Sequence, residues 1–176
     1  MSGDERTIRF EQTFLPYLDA AYNLARWLTR NVYDADDLVQ EAYLRAFEHY
    51  DSFRGQSAKA WLLTIVRNAC YSHLRRAIPT TEAAEFDERV HSAGQVPDDP
   101  ESLALKEADS RRLTQALEEL PEEYREAIVL RELEELSYKE VAAILGVPMG
   151  TVMSRLNRGR DRLRAALMTT AEDSNA

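Results

Sequence analysis

The chain has very little cysteine or histidine, and both scarcities exclude kinds of chemistry. Its 176 residues include one cysteine, Cys70, so no internal disulfide can form. Cys70 lies in an apolar helical segment, which favours an inert buried thiol over a redox role. The three histidines fall in separate segments, and neither a zinc-site spacing, a nucleophile with a companion base nor a glycine-rich phosphate loop is present. We therefore expect no cofactor, no metal and no enzymatic activity.

Long hydrophobic runs are also lacking. The longest useful apolar stretch, residues 60–66, is far shorter than the roughly 20 residues that span a bilayer. The first ten residues contain acids and no apolar targeting core. The sequence therefore predicts a cytoplasmic chain without direct membrane insertion. A hydrophobic content of 44% is enough for one ordinary domain or two small ones.

Positive charge is scarce overall but concentrated in two places. The formal net charge is -9, yet residues 54–76 carry 5 basic and no acidic side chains. Residues 136–176 carry 6 basic and 4 acidic ones, whereas residues 1–53 carry 5 and 10, and residues 77–135 carry 6 and 17. Two basic segments in an acidic chain favour contact with a polyanion at two defined places over indiscriminate coating of nucleic acid.

Four of the twelve glycine and proline residues lie close together between the two halves of the chain. Pro79, Gly94, Pro97 and Pro100 lie among threonine, serine and acidic residues, which is typical of a linker. Apolar residues on either side recur at three and four positions, which predicts helices. The predicted helices are near residues 7–31, 35–51, 57–76, 102–119, 122–134, 137–145 and 149–168. We expect an all-α protein of two small helical domains joined by a flexible acidic linker.

The stretch EVAAILGVPMGTVMSRLNRGR predicts a helix-turn-helix. Gly146 can end the first helix in a left-handed conformation, and Pro148 can begin the second without losing a needed N–H. The inward face of the second helix is predicted from its spacing to be Val152, Leu156, Gly159, Leu163 and Leu167. Hydroxyls and guanidiniums share the outward face, at Thr151, Ser154, Arg155, Arg158 and Arg162. This face suits a major-groove helix, and the alternative is a solvated basic face on a small bundle.

A second candidate face lies in residues 57–76. Its predicted core side is Ala58, Leu62, Ile65, Ala69 and His73, with Trp61 at the edge. Roughly opposite lie Thr64, Arg67, Asn68, Tyr71 and Arg75. An amide, an aromatic ring and arginines can bind single-stranded bases by stacking, hydrogen bonding and neutralisation of the backbone.

The preceding helix is acidic. Val39, Tyr43, Phe47 and Tyr50 form its predicted buried face. The neighbouring face combines acids, an amide and one leucine, at Asp37, Gln40, Glu41, Leu44 and Glu48. Such a face can bind a basic protein helix or can simply be solvated. We assign Asp34 as the helix N-cap and not as part of a metal site with Asp36 and Asp37.

The order of these segments resembles the extracytoplasmic-function (ECF) group of the sigma-70 family of bacterial RNA polymerase initiation factors. The resemblance covers roughly residues 10–168 and rests on two unrelated sets of motifs. They are DADDLVQEAYLRAFEHYDSFRG with AWLLTIVRNACYSHLRR, and LEELPEEYREAIVLRELEELSYKEVAAILGVPMGTVMSRLNRGRDRLRAAL. The resemblance implies a sigma-2 domain at residues 8–76, a linker at 77–101 and a sigma-4 domain at 102–168 with the helix-turn-helix.

The resemblance also implies roles for particular residues. Those expected to bind the clamp helices of the largest polymerase subunit are Asp37, Gln40, Glu41 and Leu44. Those expected to capture the minus-10 promoter element are Phe53, Arg54, Lys59, Thr64, Arg67, Asn68, Tyr71 and Arg75. Those expected to read the minus-35 element are Thr151, Ser154, Arg155, Asn157, Arg158 and Arg162. Met153 departs from the family, which often has a basic residue there.

The implied partners are core RNA polymerase, promoter DNA and an anti-sigma factor, with the chain monomeric when it is free of them. We expect the free chain to bind promoter duplex weakly, because each basic segment is small and the acidic segments repel phosphate. A dimeric helix-turn-helix repressor is the alternative. It would share the C-terminal motif but would need a dimerisation element and would leave the second nucleic-acid face unexplained.

Overall fold

The N-terminal domain is a bundle of four helices. In the computed structural model, residues 3–77 and 100–173 are described, with side chains for residues 3–77 and 104–169. The four helices are α1 (Gly3–Phe14), α2 (Leu18–Thr29), α3 (Val32–Glu48) and α4 (Ala58–Arg76). Short 3-10 turns at Leu15–Tyr17 and Tyr50–Ser52 precede α2 and follow α3. Helices α2, α3 and α4 pack on one another around Leu24, Leu62 and Leu63, which are fully buried.

Two sequence predictions about the ends of helices in this domain are wrong. The predicted helix 7–31 is two helices, because Pro16 lacks an N–H and lies in the 3-10 turn between them. Asn31, not Asp34, is the N-cap of α3, and its Oδ1 accepts hydrogen bonds from the N–H groups of Tyr33 and Asp34. Asp34 instead lies in the first turn of the helix, 3.4 Å from His73.

The buried face of α4 is rotated from its predicted position. Leu62 and Ala69 are buried as expected, but Ile65 and His73 are only half-buried. Leu63, Val66 and Cys70 are buried in their place. The cause is that α4 packs against both α2 and α3, so its apolar surface is wider than a single stripe.

The C-terminal domain contains four further helices. They are α5 (Pro100–Glu118), α6 (Glu122–Ile128), α7 (Tyr138–Leu145) and α8 (Met149–Asp173), with a π-helical turn at Val129–Leu133 after α6. The described residues therefore confirm an all-α fold of two helical domains, and most of the predicted linker 77–101 lies outside them. No helix within residues 3–77 and 100–173 combines the length and apolar character that a bilayer crossing requires.

Local chemistry fixes the helix-turn-helix. The Ser137 Oγ accepts the Glu140 N–H at 3.1 Å, and the Glu140 carboxylate accepts the Ser137 N–H at 2.8 Å, which begins α7 with a capping box. The hydrogen bond from the Ser137 N–H to the Glu140 carboxylate is the main cause of the lowered pKa of Glu140. Gly146 ends α7 at φ 66°, as predicted. In α8, Val152, Leu156 and Gly159 are buried as predicted, and Leu163 and Leu167 are half-buried.

Gly159 permits close contact between α8 and α6. A Cβ at this position would lie 2.6 Å from the Ile128 Cδ1 and 3.3 Å from the Tyr124 Cβ. Ile128 is only 3% exposed, so it has little room to move. We predict that Gly159→Val lowers the free energy of unfolding by about 1–3 kcal/mol, the usual cost of overpacking.

Urea unfolding followed by circular dichroism measures this change. Gly150→Val is the matched control, because a Cβ at Gly150 meets nothing within 4 Å and valine is no worse than glycine in a helix. The control should unfold within about 0.5 kcal/mol of the wild type. Equal midpoints for the two variants would show that α6 and α8 are not tightly packed at Gly159.

Cys70 is fully buried, and we predict that its thiol is unreactive in the native chain. Burial, supported by the charges of Glu126 and Glu41, raises its pKa to about 12. At pH 8 the thiolate fraction is then about a thousandfold smaller than in the unfolded chain. Reaction with Ellman's reagent should be slower by at least that factor before urea is added than after. Native and unfolded rates within tenfold of each other would contradict the prediction.

Candidate nucleic-acid and protein interfaces

The leading half of α8 presents a polar, exposed face. Ser154, Asn157 and Arg158 are exposed, and Thr151 is half-buried at the start of the helix. Met153 is 44% exposed within the same surface. The buried side chains of Val152 and Leu156 hold the opposite face of α8 against the domain. The helix therefore presents hydroxyl, amide and guanidinium groups on a fixed support, and these are groups of the kind that can bind base edges and phosphates in a DNA groove.

The other two predicted minus-35 arginines contact α6. The Arg155 Nη2 lies 3.9 Å from the Glu123 Oε2, and the Arg162 guanidinium lies 5.2 Å from the centre of the Tyr124 ring. Both contacts restrict a long side chain without removing its charge. Arg162 remains exposed, whereas Arg155 is half-buried. Of the predicted set, Ser154, Asn157, Arg158 and Arg162 are therefore directly available on the surface.

The predicted minus-10 residues fall into three groups. Arg54, Asn68 and Arg75 are exposed. Phe53 and Thr64 are partly buried within their own domain: the Phe53 ring lies 5.4 Å from Phe14, and the Thr64 hydroxyl donates to the Ala60 carbonyl at 2.8 Å. Phe53 also packs 5.3 Å from Trp61, so these aromatic rings stabilise the bundle. The remaining three residues, Lys59, Arg67 and Tyr71, contact the C-terminal domain.

Glu126 of α6 binds two predicted minus-10 residues together. Its carboxylate forms an ion pair with the Arg67 guanidinium and accepts the Tyr71 hydroxyl at 3.1 Å. The Glu126 side chain is only 2% exposed. Burial tends to lower the pKa of Arg67, but the hydrogen bond and charge of Glu126 outweigh it and raise that pKa. Burial and the charge of Glu126 also raise the pKa of Tyr71, which keeps its hydroxyl protonated.

Glu134 forms a second contact of the same kind. Asn23 Nδ2 donates to its carboxylate at 2.7 Å, and the Lys59 ammonium lies 3.4 Å from the other carboxylate oxygen. Lys59 also donates to the Glu134 main-chain carbonyl at 2.6 Å. Glu134 follows the π-helical turn, which ends with its N–H bonded to the Val129 carbonyl. The sequence predicted one uninterrupted helix at residues 122–134, so the π-helical turn at Val129–Leu133 was not predicted.

A third interdomain contact lies at the end of α5. Arg30 has left-handed backbone dihedrals at the end of α2, and its guanidinium donates to the Glu118 carbonyl. Arg125 donates to the same carbonyl at 3.1 Å. Burial, followed by the charge of Arg30, lowers the pKa of Arg125. Two cations thus stabilise the negative end of the α5 dipole from two domains.

The acidic face of α3 is exposed and borders an apolar groove. Asp37 and Gln40 are exposed, Leu44 is 67% exposed, and Glu41 is paired with Arg45 of the same helix. The groove between α1 and α3 has a volume of about 510 Å³. It is lined by Thr7, Phe10, Glu11, Leu15, Gln40, Tyr43, Leu44 and Phe47. An exposed leucine beside an apolar groove with acids at its edge is suited to binding a protein helix.

Sequence reasoning missed the contribution of α1 to this groove and the roles of Glu126, Glu134 and Asn23. Thr7, Glu11 and Leu15 recur every four residues, but that spacing does not reveal which helix they meet. The sequence does contain a signal for Glu126, because this acid lies in a largely apolar run near Tyr124 and Ala127. In the structure that run is buried from Tyr124 to Leu130. A carboxylate in such a run requires a cation.

The comparisons with known proteins agree with this architecture. Residues 13–78 match the family model for sigma-70 region 2, and residues 110–163 match the model for sigma-70 region 4. The RNA polymerase sigma-H factor of Pseudomonas aeruginosa is 35% identical, over 94% of this chain and 88% of its own length. The ECF sigma-E factor of Escherichia coli is 40% identical, over 74% of this chain and 72% of its own length.

Solved structures show the same fold. The sigma factor RpoE of Bartonella quintana, in complex with the anti-sigma factor NepR, matches with a TM-score of 0.71 and 32% identity, over 91% of this chain and 97% of that one. CnrH, in complex with the cytosolic domain of CnrY, matches with a TM-score of 0.63 and 26% identity, over 91% and 88%. The chain belongs to the extracytoplasmic-function group of the sigma-70 family of RNA polymerase sigma factors.

Proposed function

We propose that this chain binds core RNA polymerase and directs it to promoters with defined minus-10 and minus-35 elements. The sigma-2 domain is residues 8–76, the linker is residues 77–101 and the sigma-4 domain is residues 102–168. The observation that carries the proposal is the exposed polar face of α8, set directly after the Gly146 turn and rigidly supported by Val152 and Leu156. Membership of the sigma family favours this function over that of a dimeric repressor.

The minus-35 element is read by the leading half of α8. Thr151, Ser154 and Asn157 reach base edges, while Arg155, Arg158 and Arg162 neutralise phosphates or bind guanine. The minus-10 element binds the α4 face, where Asn68 and Tyr71 contact unstacked bases and Arg54, Lys59, Arg67 and Arg75 contact the backbone. Thr64 and Phe53 support this face from within the bundle. Melting of the duplex is then driven by binding energy, without a chemical step.

Core polymerase binds at α3. Asp37, Gln40 and Glu41 provide an acidic and polar rim for the clamp helices, and Leu44 provides an apolar contact at its centre. The groove beside Leu44 extends this surface onto α1. Polymerase would hold both domains at the promoter spacing and so raise the effective concentration of each weak contact.

An anti-sigma factor is the third partner. RpoE of Bartonella quintana was solved in complex with one, and its superposition covers 91% of this chain, which includes both domains. A partner that binds this two-domain arrangement would keep the chain from polymerase and promoter. Affinity purification from the native cells should recover such a protein, and its addition should abolish transcription.

In vitro transcription with core polymerase and genomic promoter fragments tests the main proposal. Wild-type chain should create specific start sites that core alone lacks. Arg158→Ala should lower initiation by about 5- to 100-fold, as expected for one base or phosphate contact. Arg164→Ala is the matched control, because Arg164 is an exposed arginine of the same helix outside the predicted face and pairs with Asp161. Equal activity of both variants, or no start sites with the wild type, would contradict the proposal.

Binding to core polymerase tests the α3 surface separately. Leu44→Ser and Asp37→Asn should each weaken the affinity for core polymerase by about tenfold, because they remove an apolar contact and a charge from the interface. Asp36→Asn is the control, since Asp36 is an exposed acid of the same turn outside the predicted set. Fluorescence anisotropy of labelled chain measures the affinity. An effect of Asp36→Asn as large as that of Asp37→Asn would show that the interaction depends only on net charge.

A further inference from the structure

The contacts of Glu126 and Glu134 have a consequence for access to the minus-10 surface. While the domains stay together, Lys59 and Arg67 are paired with these carboxylates, with only 25% and 21% of their side chains exposed, and the Tyr71 hydroxyl donates to Glu126. DNA therefore cannot take the place of the carboxylates until the domains separate. Carboxylate and phosphate oxygens are alternative acceptors for the same guanidinium and ammonium groups. Glu126 therefore occupies the position that a negatively charged or hydrogen-bonding group of the DNA would need.

We propose that Glu126 and Glu134 of the C-terminal domain act as an internal substitute for promoter DNA, which closes the free chain over half of its minus-10 surface. This inference rests on the proposed function, since closure matters only if Lys59, Arg67 and Tyr71 bind DNA. Promoter binding then requires the two domains to separate, and both carboxylates must leave the interface. The inhibition is part of the fold and needs no second protein.

The closed arrangement does not cover every functional surface. Asp37, Gln40 and Leu44 stay exposed, as do Ser154, Asn157 and Arg158 of α8. Polymerase can therefore bind α3 of the closed chain, whereas minus-10 DNA meets only Arg54, Asn68 and Arg75. The geometry thus sets an order of events, in which polymerase binds first and the minus-10 surface becomes available afterwards.

The interface offers a substitution that opens it without touching any predicted DNA-binding residue. Asn23 lies on the surface of α2, and its Nδ2 donates a hydrogen bond to the Glu134 carboxylate at 2.7 Å. Asn23→Asp replaces that donor with a second carboxylate, so repulsion should separate the domains. Glu126→Gln is an independent way to open them, because it removes the charge that binds Arg67.

Two controls match these charge changes. Gln12→Glu adds one negative charge at an exposed position of α1. Glu119→Gln removes one in the C-terminal domain, where the Glu119 carboxylate accepts only a hydrogen bond from Gln115 of its own domain at 3.2 Å. Circular dichroism checks that all four variants are folded. Because Asn23 lies on a helix surface, Asn23→Asp alone can test the proposal if Glu126→Gln does not fold.

Two measurements on the full-length chain test the proposal. Small-angle X-ray scattering measures its radius of gyration, and a binding assay measures its affinity for a labelled pool of single-stranded DNA molecules, each about 12 nucleotides long. Asn23→Asp and Glu126→Gln should each increase the radius of gyration and tighten DNA binding by about tenfold, since the binding-competent fraction rises. Tighter binding by Asn23→Asp would be specific to opening, because its added negative charge alone weakens DNA binding. Both controls should keep the wild-type radius of gyration, and their DNA affinities should change only slightly and in the direction that the charge change alone predicts.

Wild-type dimensions and DNA affinity in both Asn23→Asp and Glu126→Gln would overturn the inference, as would expansion without tighter DNA binding. Transcription assays on the same preparations separate this from the proposed function. If wild-type chain initiates at promoters while the two variants remain closed or bind DNA no better, only the inference fails. If no start sites appear with core polymerase, the proposed function fails and the inference with it.

Discussion

A buried carboxylate must be paired, and this constraint decides how the two domains meet. Glu126 lies in the apolar surface of α6, where an unpaired charge would cost several kcal/mol. The only basic segment of the N-terminal half without acids is residues 54–76, and α4 lies in it. The pairing of Glu126 with Arg67 and of Glu134 with Lys59 follows from that distribution of charge. The same basic segment is therefore the partner of the C-terminal domain in this structure and the proposed partner of DNA.

The interdomain pairs are well suited to a contact that has to be broken. Desolvation of two charges offsets much of their attraction, so a partly buried pair contributes modest net stability although its geometry is specific. Lys59 and Arg67 keep 25% and 21% of their side-chain surface exposed, which also limits the strength of each pair. Separation of the domains must also break the packing of α4 against α7, because the buried apolar residues of the two domains form one cluster.

Periodicity and turn chemistry predicted the parts of this molecule that depend on neighbours in the chain. Gly146, the buried Val152 and Leu156, and the exposed Leu44 follow from spacing within one helix. The missed features depend on distant partners. Glu126 meets Arg67 across 59 positions and Glu134 meets Lys59 across 75, so no local pattern reveals either contact. The rotated face of α4 has the same origin, since Leu63 and Val66 are buried by two other helices together.

An acidic composition is therefore compatible with the promoter binding that we propose for this chain. In the proposed function, the net negative charge of residues 77–135 repels phosphate and so limits non-specific binding of the free chain to DNA. Two carboxylates in these residues, Glu126 and Glu134, also form ion pairs with Arg67 and Lys59 of α4. In this proposal, long-range repulsion of phosphate and the short-range pairing of Glu126 and Glu134 with α4 both weaken DNA binding by the free chain, and polymerase would relieve the pairing by holding the domains apart. A more basic chain would bind DNA more strongly by itself and would lose the dependence on polymerase that we propose.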